Sequence, residues 1–191
     1  MKMATKQPKA KGHKKGPRGE KEVAKILMDW WRPAFPNAVF VRTPGSGGWG
    51  GQSRIHQYVK GGMRASGDLM TTCQEFPFCV EVKREQNWTH DRMREGRPSP
   101  VWKWWIQAQA QADNDDLIPM LWFRHNREPW SVFLPFEYAK RFQLPPPLYV
   151  WSYRALRGID HGPLLPVLYQ GDLLVTADPR QFVEGGSHAE V

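Results

Sequence analysis

The sequence predicts an α/β fold in which a small mixed β-sheet is flanked by helices, and three observations predict it. Val23, Ile26, Leu27 and Trp30 recur at the spacing of one helical face. Phe78-Cys79-Val80-Glu81-Val82-Lys83 alternates apolar and polar side chains as a half-buried strand does. Ser99-Pro100 then opens a second helix, with Ser as N-cap and Pro in the first turn. The full order is helix, strand, glycine loop, hairpin, helix, strand, strand, which suits a sheet covered by helices.

Residues 1–17 carry Lys2, Lys6, Lys9, Lys11, Lys14 and Lys15 with almost nothing apolar. Such a tail cannot offset its ordering entropy and is predicted to be disordered, serving either as a phosphate-binding arm or as a solubilising segment. The first helix runs over residues 18–31 and stops at Pro33. Glu20 falls at the border of its apolar stripe, where an acid faces either an adjoining cleft or solvent, and Glu22 lies on the other side. A strand over residues 38–42 ends at Thr43-Pro44. The glycine-dense segment 45–51 either brings backbone amides and the Ser46 hydroxyl close to a phosphate or simply connects. It lacks the Lys-Ser/Thr ending of a nucleotide-binding loop.

A second glycine cluster leads to Asp68, which opens a hairpin: residues 68–72, a turn over 74–77, then residues 78–83. Residues 84–98 read as a polar loop offering Arg84, Arg92, Arg94 and Arg97. The second helix, ending near Asn114, buries Val101, Trp105, Ala108 and Ala112. Its tryptophans read as core rather than base-stacking platforms, and Gln107, Gln109 and Gln111 are its polar positions. Residues 117–124 and 130–134 read as strands, followed by a short helix ending near Phe142. Beyond Pro147 the pattern is irregular, with a strand at residues 173–176, a helix start at Asp178-Pro179 and a frayed end from Gly185.

The 191 residues fit one domain of ordinary size, and 40% hydrophobic content excludes wholesale disorder. A net charge of +8 points to a polyanionic partner. No apolar run spans a bilayer and no signal-peptide core is visible, so no membrane partner is expected. Cys73 and Cys79 are too few for a disulfide framework or a structural zinc site, and read as packed, reduced thiols. A reducing, cytoplasmic location follows.

Alternation places Glu81 and Lys83 on one strand face, opposite Phe78, Val80 and Val82. With Asp68 from the preceding segment they make two carboxylates and an amine. Hydrolysis of a phosphodiester near neutral pH calls for oxygen ligands to a hard cation and a positive group near the attacking water. An isolated Glu-x-Lys is otherwise an ordinary solvated strand face.

Gly19-Glu20-Lys21-Glu22, Val41-Arg42-Thr43-Pro44-Gly45-Ser46-Gly47-Gly48, Gly67-Asp68 and Glu81-Val82-Lys83 come in an order that resembles the archaeal-type Holliday junction resolvases. These belong to the PD-(D/E)xK nuclease superfamily. Phage-encoded relatives with a Trp-rich helix followed by Pro-x-Leu-x-Phe-Arg-x-Asn-Arg are also similar, through Pro119 to Arg127. The resemblance covers residues 18–134 and implies a restriction-endonuclease-like core there, with residues 135–191 as a C-terminal extension.

It also implies a Mg²⁺- or Mn²⁺-dependent DNA endonuclease, selective for branched DNA and acting as a homodimer, which leaves 5′-phosphate and 3′-hydroxyl ends. Asp68 and Glu81 match its principal metal ligands. Glu20 matches the helical acid that completes the metal site directly or through water, and Lys83 the lysine that orients or helps deprotonate the attacking water. Arg42 and Ser46 match positions near the scissile phosphate and Lys21 a nucleic-acid-binding position, while Arg84, from the loop reading rather than the resemblance, either contacts a phosphate or is an ordinary surface residue. Gln107 matches a polar position on the following helix, with Gln109 and Gln111 as alternative registers. Gly67 stands where the superfamily name has Pro, and Lys21 where many resolvases have Arg. A restriction- or repair-type nuclease on linear or flap DNA, and a catalytically inactive nucleic-acid-binding protein, are the alternatives.

Overall fold

Helix α1, Lys15–Trp31, forms because Val23, Leu27, Trp30 and Trp31 bury one face while Arg18–Glu22 and Lys25–Asp29 pair at i,i+4 on the other. It begins three residues inside the segment expected to be a disordered tail, because Lys15-Gly16-Pro17 continue the helical turn that Arg18 and Glu20 occupy. The computed structural model describes residues 15–44, 62–150 and 165–184. The rest of the basic tail, the 45–51 loop with Ser46, and the end from Gly185 lie outside the described residues.

Strands β1 (Phe40–Arg42), β2 (Arg64–Ser66) and β3 (Leu69–Thr71) form a small antiparallel sheet in the order β1-β3-β2. The expected hairpin between residues 68–72 and 78–83 is therefore corrected: β3 pairs with β1 and β2, not with the strand that follows. Two local causes account for this. Gly67 has φ of 73°, which suits a two-residue Gly67-Asp68 turn from β2 into β3. Phe76 then buries itself against Trp31, Phe40 and Phe78 at centroid distances of 5.0, 4.8 and 5.4 Å, which takes the chain away from β3.

Strand β4, Phe78–Arg84, instead starts a five-stranded mixed sheet. Helix α3, Pro100–Asp115, crosses over to β5, Ile118–Arg124, which runs parallel to β4. Ser99 accepts from the Val101 N–H at 3.4 Å, and the left-handed Asp116 closes the far end with its N–H on the Ala112 carbonyl. β6 (Ser131–Pro135), β8 (Pro166–Gln170) and β7 (Tyr149–Val150) complete the order β4-β5-β6-β8-β7, with antiparallel pairing from β5 onward. α4, Phe136–Arg141, follows β6.

Three further expectations change. The loop after β4 contains α2, His90–Arg94, capped by Thr89 and anchored by buried Trp88 and Met93. Residues 173–176 are not a strand: α5, Gly171–Leu174, turns there to bury Leu174, and Gly171 is pressed onto Trp122, whose ring an added Cβ would meet at 2.9 Å. A short apolar run carries no periodicity to separate the two forms. The last part of the chain is also less irregular than its composition suggests, since β8 pairs along its length with β6. Phe182 of α6, Gln181–Glu184, packs edge-on against Trp30 and Phe78 at 5.6 and 5.2 Å.

The two sheet faces have separate cores. Val80, Val82, Met120, Trp122 and Val132 meet α1 on one side, while Leu121, Phe123 and Phe133 meet Trp102 and Trp105 of α3 on the other. Truncating a buried Trp such as Trp105 to Ala costs about 3–5 kcal/mol by precedent. Among the described residues no helix is long and apolar enough to cross a membrane, and Cys73 and Cys79 are buried free thiols.

Candidate active site

Strand β4 is an edge of the five-stranded sheet, and the Gly67-Asp68 turn abuts that edge. The Asp68 N–H donates to the Val80 carbonyl at 2.7 Å, and a parallel bridge joins Gly67 to Val80. An added Cβ at Gly67 would press into the Val80 carbonyl oxygen, and the positive φ excludes proline, whose ring holds φ near −65°. This turn thus requires a glycine and could not take a proline. Thr43 braces it from β1's end: its N–H donates to the Asp68 carbonyl at 2.9 Å and its hydroxyl to the Gly67 carbonyl at 3.0 Å.

Three acids are buried here, with Glu81 at 1%, Glu20 at 6% and Asp68 at 8% of their free exposure. Carboxylates are rarely buried unless paired, so their partners decide what the site can do. Asp68 Oδ2 accepts the Val82 N–H at 2.9 Å. Glu81 Oε1 accepts from Gln107 Nε2 at 3.0 Å and pairs with Lys83, whose position two residues along β4 puts both side chains on one face. Gln111, one helical turn beyond Gln107, also helps to hold Glu81 ionised. Glu20 pairs with Arg42, reaching from α1 to β1.

Burial pushes the Asp68 carboxyl up to about 8, with Glu81 and then Glu20 adding to the rise, while the Val82 N–H and Lys83 oppose it. Burial also raises Glu81, against the pull of Lys83 and Gln111. Glu81 Oε2 is buried and lacks a hydrogen-bond partner. A crowded acid pair with one orphaned oxygen fits a divalent cation. Among the described residues no group of three or more His, Cys, Asp or Glu is gathered closely enough to hold a metal. The donors present, carboxylate oxygens, are those a hard cation takes.

Asp68, Glu81, Lys83, Glu20, Arg42 and Gln107 thus converge on one sheet edge. Of the three glutamines, Gln107 and Gln111 face Glu81, whereas Gln109 is buried within α3's packing. Lys21 is exposed on α1. Ser46 lies outside the described residues. Arg84 does not join the acids: alternation turns it to the α1 side of the sheet, where it meets Glu22 at 3.7 Å. The sequence marks Thr43 only as a strand end, not as a brace, and offers Gln111 only as an alternative register to Gln107, although the i,i+4 spacing of Gln107 and Gln111 is a signal for a shared face.

A family model described as "Phage putative PDDEXK endonuclease" matches residues 11–146. No curated protein and no solved structure matches the chain.

Proposed function

Because the chain belongs to this phage PD-(D/E)xK endonuclease family, we propose that it is a Mg²⁺- or Mn²⁺-dependent endodeoxyribonuclease acting on branched DNA. The observation that carries the hydrolytic reading is Glu81 Oε2, a buried carboxylate oxygen without a partner beside a second acid whose proton is held to about pH 8. Asp68 and Glu81 would hold the cation, with Glu20 reaching it through water while its carboxylate stays paired with Arg42. When bound, such a cation supplies Lewis-acid polarisation of a phosphate oxygen and acidifies its water.

The chain's own groups do the rest. Gln107 fixes the Glu81 carboxylate by its 3.0 Å bond. Lys83 shares that face and orients the attacking water, whose hydroxyl joins phosphorus as the bond to the 3′ oxygen breaks, the departing oxygen taking up a proton from solvent. The products are a 5′-phosphate and a 3′-hydroxyl. Arg42, Ser46, Lys21 and Arg84 are the proposed contacts to DNA, in keeping with a charge of +8. Selectivity for four-way junctions, and the homodimer that two symmetric cuts require, rest on the resemblance to the resolvases.

Cleavage of a four-way junction and of linear duplex of the same sequence, with and without Mg²⁺, tests the reading. Asp68→Ala and Lys83→Ala should each lose about a hundredfold or more in rate. Wild-type cleavage by either variant overturns the site. Equal rates on the two substrates remove the junction preference and leave a general duplex nuclease.

A further inference from the structure

Across the sheet from Lys83, the α1 side of β4 and β5 holds a second charged cluster of opposite balance. Arg84 and Arg124 end these two parallel strands and stand directly in register. Like charges placed so repel, and a single acid, Glu22 of α1, lies between them. It pairs with Arg124, with Arg84 at 3.7 Å and with Arg18 at 3.1 Å. Three guanidinium groups therefore share one carboxylate.

The two strand-end arginines are held rigidly. The Arg124 guanidinium lies 4.3 Å from the Trp130 ring centroid, and Arg84 Nε donates to Asn126 Oδ1 at 2.8 Å. Their side chains retain only 16% and 14% exposure. Arg124 Nε is buried with no acceptor among the described residues. A structural tie between helix and sheet would need one arginine for one glutamate. The surplus of two fixed, partly desolvated guanidinium forks is suited to a tetrahedral oxyanion, which accepts paired N–H bonds.

We propose that Arg18, Arg84 and Arg124 form a second phosphate-binding subsite, which takes a backbone phosphate of the DNA strand and is preset by Glu22. This rests on the nuclease reading for the identity of the ligand, though not for the site itself. α1 then serves both sides of β4, with Glu20 turned to the acid cluster and Glu22 to the arginines.

Binding of labelled duplex DNA, followed by fluorescence anisotropy across a salt series in chelator, tests the subsite without any cleavage. Arg18→Gln is the safer variant, since that side chain is 74% exposed. Arg18→Gln and Arg124→Gln should each weaken binding severalfold and flatten the log–log salt slope by about 0.9, one phosphate contact each. Glu22→Gln, which keeps an acceptor and removes a negative charge, should tighten binding severalfold. Inorganic phosphate serves as a second probe: a rise in the melting midpoint of the wild type that Arg124→Gln lacks supports a pocket open to free anions as well. Wild-type affinity and slope in folded Arg18→Gln and Arg124→Gln would overturn the subsite, even if Asp68→Ala abolishes cleavage. Conversely, the arginine effects with no metal-dependent cleavage by the wild type would overturn the nuclease reading and leave the subsite standing.

Discussion

Of the two charged clusters that α1 touches, one has more acids than bases and the other more bases than acids. At the sheet edge, Glu20, Asp68 and Glu81 face Lys83 and Arg42. At the strand ends, Glu22 alone faces Arg18, Arg84 and Arg124. At the edge a cation can displace the proton that Asp68 holds, whereas surplus fixed positive charge at the strand ends draws in an anion. A strand that alternates and a helix that turns 100° per residue are enough to separate the two surpluses, though their residues are neighbours in the chain.

The comparison can be broken most sharply by neutralising the two helix acids one at a time. Glu20→Gln should slow metal-dependent cleavage by about a hundredfold, because it removes an acid from the cation's surroundings. Glu22→Gln should leave the chemical step within a few-fold of wild type. Single-turnover rates measure both, and equal losses would mean that the helix carries one site rather than two. Gln107→Ala comes next, with an expected loss of about 10–100-fold in Mn²⁺ affinity by calorimetry. An unchanged affinity would show that Glu81 does not need its glutamine.

Gly67→Ala should destabilise the fold by about 2 kcal/mol or more in denaturant titration, since φ of 73° and the Val80 carbonyl both oppose a side chain. The pH response reads the acid cluster directly. Asp68 titrates near 8 in the folded protein against an ordinary value of 3.8, so the folded state keeps a proton that the unfolded chain gives up. Its stabilising contribution is complete below pH 3.8 and is lost as pH rises through about 8. The melting midpoint of metal-free protein should thus fall between pH 5 and pH 8. Asp68→Asn should flatten that fall, and Mg²⁺ should reverse it in the wild type alone.

Local signals carried much of this structure in the sequence. The period of Val23, Leu27 and Trp30, the Ser99-Pro100 cap and the alternation of residues 78–83 each depend on near neighbours, and each produced its element. That alternation also put Glu81 and Lys83 on one face, which the ion pair reflects. What the chain did not disclose is set by distant partners. The β3–β4 hairpin does not form because the chain turns at Gly67-Asp68, before β3 rather than only after it, and Phe76 packs against Trp31. Arg84 read as a loop arginine because its register opposite Arg124 depends on the parallel pairing of two strands separated by a helix. Thr43 lies within a quoted motif, but its bracing of the Gly67-Asp68 turn depends on a contact 24 residues away.

The antiparallel pairing of β8 with β6, from Ser131–Gln170 to Pro135–Pro166, bears on how the protein can be shortened. A fragment trimmed to residues 11–146 would keep every acid of the cleft yet strip β6 of its neighbour. An unpaired row of amides and carbonyls beside Val132, Phe133 and Leu134 is an invitation to stack with other molecules. Loss of Phe182 would at the same time open a void between Trp30 and Phe78. Such a truncated chain should aggregate on expression rather than give a minimal enzyme.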